Sequence, residues 1–325
     1  MSDEKLPMLL APAGKDYLWG GERLKKEYGK AFDLTPLAET WECSVHPDGP
    51  SVIRNGVFSG KTLSEVLSLH PEFAGGKNTG DFPILVKFID AAGDLSVQVH
   101  PDDSYAYQYE GGSRGKTEMW YVLEAEEGAK LICGFEHKVT AEKLRKSLED
   151  GTLDRHLKSV PVHKGDVFYI PAGTVHAIGK GVVIAEIQES SNLTYRLYDY
   201  DRVDAKTGKK RELHFDKAVK VMNMEPGDEV RQKPRKVAYY PGCSRELLIR
   251  CPYFEAESIR VSESFEFSVT ENSFQVLLCT EGYGSTGRAK DEEPVSFKKG
   301  DCIFIPAGAG RLRTSGRCSL LKIRS

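Results

Sequence analysis

Four side chains in the first half of the chain are of the types that bind a borderline divalent metal. Gln98 and His100 lie two residues apart in LSVQVHPDD, where alternating polar and apolar residues predict a strand with both side chains on one face. Glu118 opens a later apolar run, and His176 follows a Pro-x-Gly turn. Two neutral imidazoles, a carboxylate and an amide oxygen suit an ion such as Zn²⁺. We therefore predict a metal site at these residues, with an antiparallel neighbouring strand bringing Glu118 to the other ligands.

A cationic loop lies next to this group. The stretch GGSRGK places Ser113, Arg114 and Lys116 among glycines, a composition that suits the capture of an anion such as phosphate. Lys116 precedes Glu118 by two residues, so on a strand both would face the same side. For Arg114, a solvated basic turn is an equally good interpretation. Asp102 and Asp103, which follow Pro101, are typical of a turn that ends the strand.

Two further charged residues occur where the chain is otherwise apolar or aromatic. Glu186 follows four apolar residues in VVIAEIQES, and a carboxylate on a buried strand needs a partner or a raised pKa. We expect Arg196 or Lys116 to be that partner, or Glu186 to carry a proton. Arg196 itself lies in TYRLYDYDR, where an exposed ion pair with Asp199 or Asp201 is the structural alternative to a role in a site.

The elements that must position these residues are mostly short strands. Apolar runs bounded by turn residues recur at a spacing typical of an antiparallel sandwich or barrel rather than of βαβ units. Two segments with helical spacing of leucines, near 61–74 and 139–158, predict a small number of helices that cover one end of a sheet. The fold class predicted is thus mainly β with a small helical insertion.

An internal repeat indicates two related β domains. KGDVFYIPAG at 164–173 returns as KGDCIFIPAG at 299–308, and the polar, proline-bearing stretch 223–236 lies between the copies as a candidate linker. We place the catalytic metal-binding domain at 1–225 and a degenerate second domain at 226–325. In the second copy Arg311 stands where His176 stands in the first, which predicts one working site and one structural copy.

Bulk composition excludes several classes of protein. The net charge of −3 offers no basic surplus for nucleic acid, and no apolar run is long enough to span a membrane. The N-terminus lacks the apolar core of a signal peptide, and the seven cysteines show no C-x-x-C spacing. We expect a cytoplasmic protein with reduced thiols, present as a monomer or a weak homo-oligomer.

The motifs resemble those of a known family. Gly165, Pro171, Gly173 and His176 match the second motif of the cupin superfamily, whose members hold a metal inside a small barrel, although Lys180 replaces the usual terminal asparagine. The first motif is altered, with Gln98-x-His100 followed by a delayed Glu118. Blocks at 18–21, 38–49, 95–103, 116–123, 170–179 and 185–202 together resemble the type I mannose-6-phosphate isomerase family in its short bacterial form.

The resemblance implies a fold, a site and a reaction. It implies two cupin-like domains, one Zn²⁺ per chain held by Gln98, His100, Glu118 and His176, and isomerisation of mannose 6-phosphate to fructose 6-phosphate. The pocket residues that it implies are Trp19, Glu39, Ser96, Lys116, Glu186 and Arg196, with catalytic roles for Lys116, Glu186 and Arg196. A cupin Fe(II) oxygenase using His100, Glu118 and His176 is one alternative, and a non-catalytic sugar-phosphate-binding cupin is another.

Overall fold

A computed structural model describes residues 5–76, 82–204, 207–288 and 293–325. The strands of the first half are β1 (Met8–Ala11), β2 (Ala13–Lys15), β3 (Glu39–Cys43), β4 (Val52–Ile53), β5 (Ile84–Ala91), β6 (Val97–Val99), β7 (Glu118–Ala125), β8 (Lys130–Phe135), β9 (Leu157–Pro161), β10 (Val167–Ile170), β11 (His176–Ile178), β12 (Val182–Glu189) and β13 (Tyr195–Tyr198). Those of the second half are β14 (Ala238–Tyr240), β15 (Cys243–Arg250), β16 (Glu255–Val261), β17 (Ser264–Val269), β18 (Gln275–Gly287), β19 (Val295–Lys298), β20 (Cys302–Ile305) and β21 (Gly310–Arg324). The predicted mainly β class is confirmed.

Helices are few and short. They are α1 (Arg23–Tyr28), α2 (Leu63–Leu69), α3 (Asp103–Tyr109), α4 (Ala141–Glu149) and α5 (Phe215–Val221), with 3₁₀ turns at Gly56–Phe58, Pro71–Ala74 and Leu153–Arg155. Among the described residues, no helix has the length and apolar character needed to cross a membrane.

Two sheets face each other in the first half of the chain. The six-stranded sheet has the order β10-β7-β12-β5-β3-β2, and the five-stranded sheet has the order β13-β6-β11-β8-β9. Every pairing between these strands is antiparallel, as the sequence predicts. The space between the two sheets therefore receives side chains from both of them.

The six-stranded sheet is buried on both faces, which explains the continuous apolar runs of its central strands. Val183, Ala185 and Ile187 of β12 pack into a core shared with the second half of the chain. Val182 and Ile184 pack on the other face, against residues of the five-stranded sheet. Because side chains alternate along a strand, the even-numbered positions of β12 face the space between the two sheets.

A ten-stranded sheet contains all strands of the second half together with two strands from the N-terminus. Strand β1 pairs with β20, and β4 pairs with β1. Its inner surface encloses a core that includes Phe265, Leu312 and Leu320. Since β1 and β4 belong to 1–225 by sequence but to this sheet by pairing, the division into 1–225 and 226–325 stays a prediction.

The internal repeat is also a structural repeat. Strands β10 and β20 occupy equivalent positions in the two copies, 135 residues apart. The glycines that precede them have nearly the same backbone angle, with φ of 90° at Gly165 and 94° at Gly300. A residue with a Cβ is strained at such angles, which accounts for the glycine in both copies of KGD.

The predicted helical segments are partly borne out. The segment near 61–74 contains α2, which begins with a capping box between Thr62 and Glu65, and a 3₁₀ turn. The segment near 139–158 contains α4 and a 3₁₀ turn, but its end belongs to β9, so that prediction was too long.

Strand β6 ends before Asp102 and Asp103, as predicted, but the turn predicted at these residues is wrong. The Asp102 side chain accepts a hydrogen bond from the backbone N–H of Tyr105 and caps α3, so the two acidic residues begin a helix. Aromatic residues at three of the seven positions of α3 conceal its helical period.

Candidate metal centre and active site

Three of the predicted ligands converge in the space between the sheets of the first half. The Nε2 atom of His100 lies 3.2 Å from Oε1 of Glu118, and Nε2 of His176 lies 3.6 Å from Oε2 of the same carboxylate. All three side chains are almost completely buried. Among the described residues this is the one group of three or more histidine, cysteine or acidic side chains whose ligand atoms are close enough to share a metal ion.

Hydrogen bonds fix which nitrogen of each histidine faces the group. Nδ1 of His100 lies 2.7 Å from the carbonyl oxygen of Leu193, and Nδ1 of His176 lies 2.9 Å from that of Thr174. A carbonyl only accepts, so each Nδ1 carries the hydrogen and each Nε2 presents a lone pair to Glu118. Two lone pairs and a carboxylate directed at one another form an electron-rich site that a cation stabilises.

The charge states of the three residues also suit a metal. Burial, followed by the Lys116 ammonium, lowers the pKa of His100 to about 3, and burial lowers the pKa of His176. Burial opposes ionisation of Glu118, but the Lys116 ammonium outweighs it and holds the pKa of that carboxyl well below its usual range. Both imidazoles are therefore neutral and the carboxylate is ionised near neutral pH, as metal binding requires.

The separations match the size of a zinc site. Ligand atoms about 2.0–2.1 Å from one tetrahedral zinc ion lie about 3.3 Å from each other. The two contacts to Glu118, at 3.2 Å to one oxygen and 3.6 Å to the other, are near this value, and one ligand atom from each of the three residues lies within 4.8 Å of the others. The residues present therefore fit a metal ion of this kind.

Gln98 lies beside this group, on β6. It pairs directly with His176 of β11 and with Arg196 of β13, and its amide nitrogen lies 3.3 Å from Nε2 of His176. Rotating the side-chain amide of Gln98 by 180° brings its oxygen, in place of its nitrogen, next to Nε2 of His176. Gln98 can thus present an oxygen ligand beside His176.

Glu118 reaches the group by a different route from the one predicted. Strand β7 pairs with β10 and β12 in the six-stranded sheet, whereas Gln98 lies in the five-stranded sheet. The carboxylate therefore crosses the space between the sheets, and the predicted pairing of neighbouring strands is wrong. Lys116 does face the same side: its Nζ contacts Oε1 of Glu118 and lies 3.4 Å from Nε2 of His100.

A pocket opens above these residues, and all of the pocket residues implied by the family resemblance line it. They are Trp19, Glu39, Ser96, Lys116, Glu186 and Arg196. Gln98 and His176 line the same pocket. The Ser96 hydroxyl lies 3.3 Å from the amide oxygen of Gln98. After the 180° rotation of this amide, its nitrogen would take this place and donate to the hydroxyl, so Ser96 can bind the amide in either orientation.

Sequence reasoning missed Lys87, the partner of Glu186. Lys87 faces Glu186 across the β5–β12 pairing, and its Nζ lies 3.3 Å from Glu186 and 3.6 Å from Glu39. Neither Arg196 nor Lys116, the partners expected from sequence, makes this contact. Burial alone would lower the pKa of Lys87, but Glu39 and Glu186 raise it, so the lysine stays charged.

Glu186 is also tied to the metal ligands. The indole N–H of Trp120 lies 3.0 Å from Glu186 and 3.1 Å from Glu118, so one donor serves both carboxylates. Burial and the Glu118 charge raise the pKa of Glu186, while Lys87 opposes this.

Arg196 lines the pocket and does not form the ion pairs that were its structural alternative. Asp199 binds Arg202 and Arg211, and Asp201 binds Lys210. The buried Nε–H of Arg196 has no hydrogen-bond partner within the described part of the chain.

Arg211 is a second pocket cation that sequence reasoning missed. It lines the pocket, and Asp199 holds it through Nε at 2.8 Å and through Nη2. Burial and the Arg211 charge lower the pKa of Arg196, and both guanidinium groups belong to residues that line this pocket. Such a pair favours an anion at this end of the pocket.

The loop predicted to capture an anion divides between two places. Lys116 lines the metal pocket, but Ser113 and Arg114 line a neighbouring depression with Asp48 and Asn192. The Ser113 hydroxyl donates to the carbonyl oxygen of Glu110. The three residues therefore do not line one pocket.

Comparisons with known proteins agree with these features. A family model described as phosphomannose isomerase type I, catalytic domain, matches residues 8–135, and one described as mannose-6-phosphate isomerase, cupin domain, matches residues 244–325. The chain is 39% identical over 301 residues to a mannose-6-phosphate isomerase of Streptococcus mutans, covering 92% of each chain. It is 38% identical over 314 residues to the mannose-6-phosphate isomerase ManA of Bacillus subtilis, covering 95% of this chain and 96% of that one. A crystal structure of the mannose 6-phosphate isomerase from Bacillus subtilis superposes with a TM-score of 0.90 at 34% identity, covering 98% of this chain and 99% of that one.

Proposed function

The chain belongs to the type I phosphomannose isomerase family, and from this premise we propose that it interconverts mannose 6-phosphate and fructose 6-phosphate in the pocket above His100, Glu118 and His176. The observation that carries this proposal is the joining of a buried metal-ligand group to a pocket lined by Lys87, Lys116, Arg196 and Arg211. An anionic sugar that reacts next to a metal needs both parts.

The reaction moves a hydrogen between C1 and C2 through an enediol. A base removes the proton from C2 of the aldose while the C1 carbonyl oxygen gains one. Return of a proton to C1, with loss of the hydroxyl proton at O2, gives the ketose. The group responsible for the proton transfer must lie on the pocket wall and within reach of the sugar's C1–C2 edge.

We assign the proton transfer to Glu186. Its carboxylate lines the pocket, lies beside Lys87 and shares the Trp120 donor with Glu118. Lys116, whose ammonium contacts Glu118, lies where it can stabilise negative charge on the enediolate oxygens. The Lys116 ammonium is held by Glu118, one of the candidate metal ligands, whereas the Glu186 carboxylate lies on the pocket wall. For this reason the proton transfer is assigned to Glu186 and not to Lys116.

The phosphate is assigned to the arginine end of the pocket. Arg196 retains a buried N–H without a protein partner in the described residues, and Arg211 is oriented by Asp199. Guanidinium groups bind phosphate oxygens through paired hydrogen bonds. Ser96, Trp19 and Glu39 complete the sugar-binding wall between the two ends.

The metal proposed for Gln98, His100, Glu118 and His176 is one Zn²⁺ per chain. A zinc ion held there would supply Lewis acidity toward the carbonyl and hydroxyl oxygens of the sugar. Two imidazoles, a carboxylate and an amide oxygen at these separations suit zinc.

The setting proposed for this activity is the cytoplasm. In support, none of the seven cysteines forms a disulfide, as is usual in a reducing compartment. The net charge of −3 bears on partners instead, because it disfavours binding to nucleic acid. We propose a monomer or a weak homo-oligomer, which sedimentation at several protein concentrations would test.

The direct test follows conversion of mannose 6-phosphate to fructose 6-phosphate by the purified chain, before and after chelation and after return of zinc. We expect conversion that chelation abolishes and zinc restores. Absence of conversion by the zinc-loaded protein would overturn the proposal. Oxygen uptake with the same substrates would instead support the Fe(II) oxygenase alternative, and binding without turnover would support a non-catalytic cupin.

A further inference from the structure

Lys116 lies on an irregular segment, residues 113–117, which we call the lysine strap. The backbone N–H of Lys116 donates to the carbonyl oxygen of Pro101 at 3.0 Å, and the Ser191 hydroxyl donates to the carbonyl oxygen of Arg114 at 3.0 Å. The strap is therefore held between the loop that begins α3 and the end of β12. Where its backbone lies decides where the lysine's ammonium can reach.

Two carboxyl groups bind the amides on either side of Lys116. Asp103 accepts from the backbone N–H of Gly115 at 2.8 Å, and Glu189 accepts from that of Thr117 at 2.8 Å. The two carboxyl groups therefore bind the backbone immediately before and immediately after Lys116, the lysine that lines the pocket. Neither carboxyl group lines the pocket.

Glu189 is also placed to carry a hydrogen. It is 1% exposed, its Oε1 accepts from the Thr117 N–H, and its second oxygen, Oε2, is buried without a donor among the described residues. A buried carboxyl oxygen that receives no hydrogen bond is satisfied when it carries a hydrogen itself. Asp103, which accepts from the Gly115 amide, is exposed to solvent, so Glu189 is the carboxyl group whose burial favours the neutral form.

Three other titratable groups near Glu189 supply no positive charge. They are Tyr169, Cys251 and Tyr253, each with a pKa raised chiefly by burial, so none is charged near neutral pH. Burial and Asp103 raise the pKa of Glu189 to about 7.

We propose that Asp103 and Glu189 are positioning residues for the isomerase, which share one hydrogen between their carboxyl groups and thereby hold Lys116 at its place in the pocket. The kinetic part of this inference rests on the proposed function, whereas the shared hydrogen does not. Loss of that hydrogen at alkaline pH leaves two adjacent carboxylates whose repulsion loosens both strap contacts.

The matched variants are Glu189→Gln and Glu189→Ala. The amide of glutamine keeps an oxygen for the Thr117 N–H and offers an N–H to Asp103 that does not dissociate. We expect Glu189→Gln to retain wild-type kcat at pH 6 and to keep it at pH 8.5, where the wild type falls. We expect Glu189→Ala to lose tenfold or more in kcat at both pH values with unchanged metal content. Equal kcat losses for the two variants, or none for Glu189→Ala, would overturn the positioning role.

Thermal unfolding tests the shared hydrogen without any activity assay. A carboxyl whose pKa is raised on folding stabilises the protein fully below pH 4.5 and loses that contribution as pH rises to about 7. The Tm of Glu189→Gln relative to wild type should therefore increase between pH 5 and 8. Glu257→Gln is the control, because Lys322 and Arg245 outweigh burial and lower the pKa of Glu257, and this variant should lose Tm at pH 8. A difference for Glu189→Gln that is flat with pH would overturn the shared hydrogen, while failure of the wild type to isomerise would overturn only the proposed function.

Discussion

Gln275 holds in the second copy of the repeat the position that Glu118 holds in the first. Glu118 pairs with Ile170, the last residue of β10, and Gln275 pairs with Ile305, the last residue of β20. Gln275 is buried like Glu118, but its amide donates to the carbonyl oxygen of Ser268. The second copy therefore has, in place of the candidate ligand Glu118, a glutamine whose amide binds the backbone of its own barrel.

The remaining ligand positions can be matched in the same way. Arg311 pairs with Ser268 as His176 pairs with Gln98. The carbonyl oxygen of Thr270 accepts from Gly308, as that of His100 accepts from Gly173, both at 2.9 Å. The second copy thus has serine, threonine, glutamine and arginine at the four positions, a set without a histidine or carboxylate ligand.

Metal retention should depend on His176 and not on Arg311. His176→Ala removes one of two buried imidazoles, and we expect the purified variant to retain less than a tenth of the zinc bound by wild type. Arg311 is exposed and paired with Glu266, and an exposed pair contributes about 1 kcal/mol or less. We expect Arg311→Ala to keep metal and activity. Zinc per chain, measured by mass spectrometry after gel filtration, checks both, and equal losses would contradict a single site in the first half.

The types of the ligands could be predicted from sequence, but their meeting place could not. A period of two places Gln98 and His100 on one face, whereas nothing in the spacing of Glu118 indicates that it belongs to the opposite sheet. That assignment depends on pairings between β7, β10 and β12, which are distant in sequence. The residue types and the family resemblance both joined these residues beforehand, but neither assigned Glu118 to its sheet.

The missed pocket cations show a second limit. Lys87 interrupts the apolar run PILVKFID, which signals a buried charge but not its partner. Arg211 lies in TGKKREL, where adjacent basic residues make it look like part of a solvated turn. Arg211 is distinguished from its basic neighbours by its contact with Asp199, which lies twelve positions earlier in the chain.

Replacing Lys87 by methionine should alter the pH dependence of the reaction. The substitution removes the positive charge between Glu39 and Glu186, so the pKa of Glu186 should rise further and less carboxylate should be ionised at pH 7. We expect kcat to fall tenfold or more at pH 7 and the acidic limb of the kcat profile to move to higher pH.

Lys30→Met is the matched control for Lys87→Met. Lys30 is a buried lysine 2.6 Å from Glu42, outside the pocket. Its loss should lower the free energy of unfolding and leave the pH profile in place. A profile unchanged in Lys87→Met, or shifted alike in both variants, would argue against Glu186 as the proton carrier.

Arg211→Gln should weaken substrate binding more than it slows turnover. A charge-assisted hydrogen bond to phosphate contributes about 1.5–3 kcal/mol, so we expect KM to rise about 10- to 100-fold with kcat changed little. Inorganic phosphate should lose potency as a competitive inhibitor to the same extent. Arg202→Gln is the control, because Arg202 also binds Asp199 but does not line the pocket. Equal KM effects in the two variants would assign the change to Asp199 rather than to a phosphate contact.

Alanine at the two equivalent turn glycines should separate backbone strain from steric exclusion. Both Gly165 and Gly300 have φ near 90°, where a residue with a Cβ is strained by about 1–3 kcal/mol. A Cβ on Gly165 would have no atom within 4 Å, whereas one on Gly300 would lie 2.2 Å from the carbonyl oxygen of Tyr28 in α1. Backbone must move to relieve that overlap, and overpacking adds about 1–3 kcal/mol. We therefore expect Gly300→Ala to lower the free energy of unfolding in urea by clearly more than Gly165→Ala. Equal costs would mean that the KGD turn of the second copy can withdraw from α1, and that the contact between them contributes little to the stability of the chain.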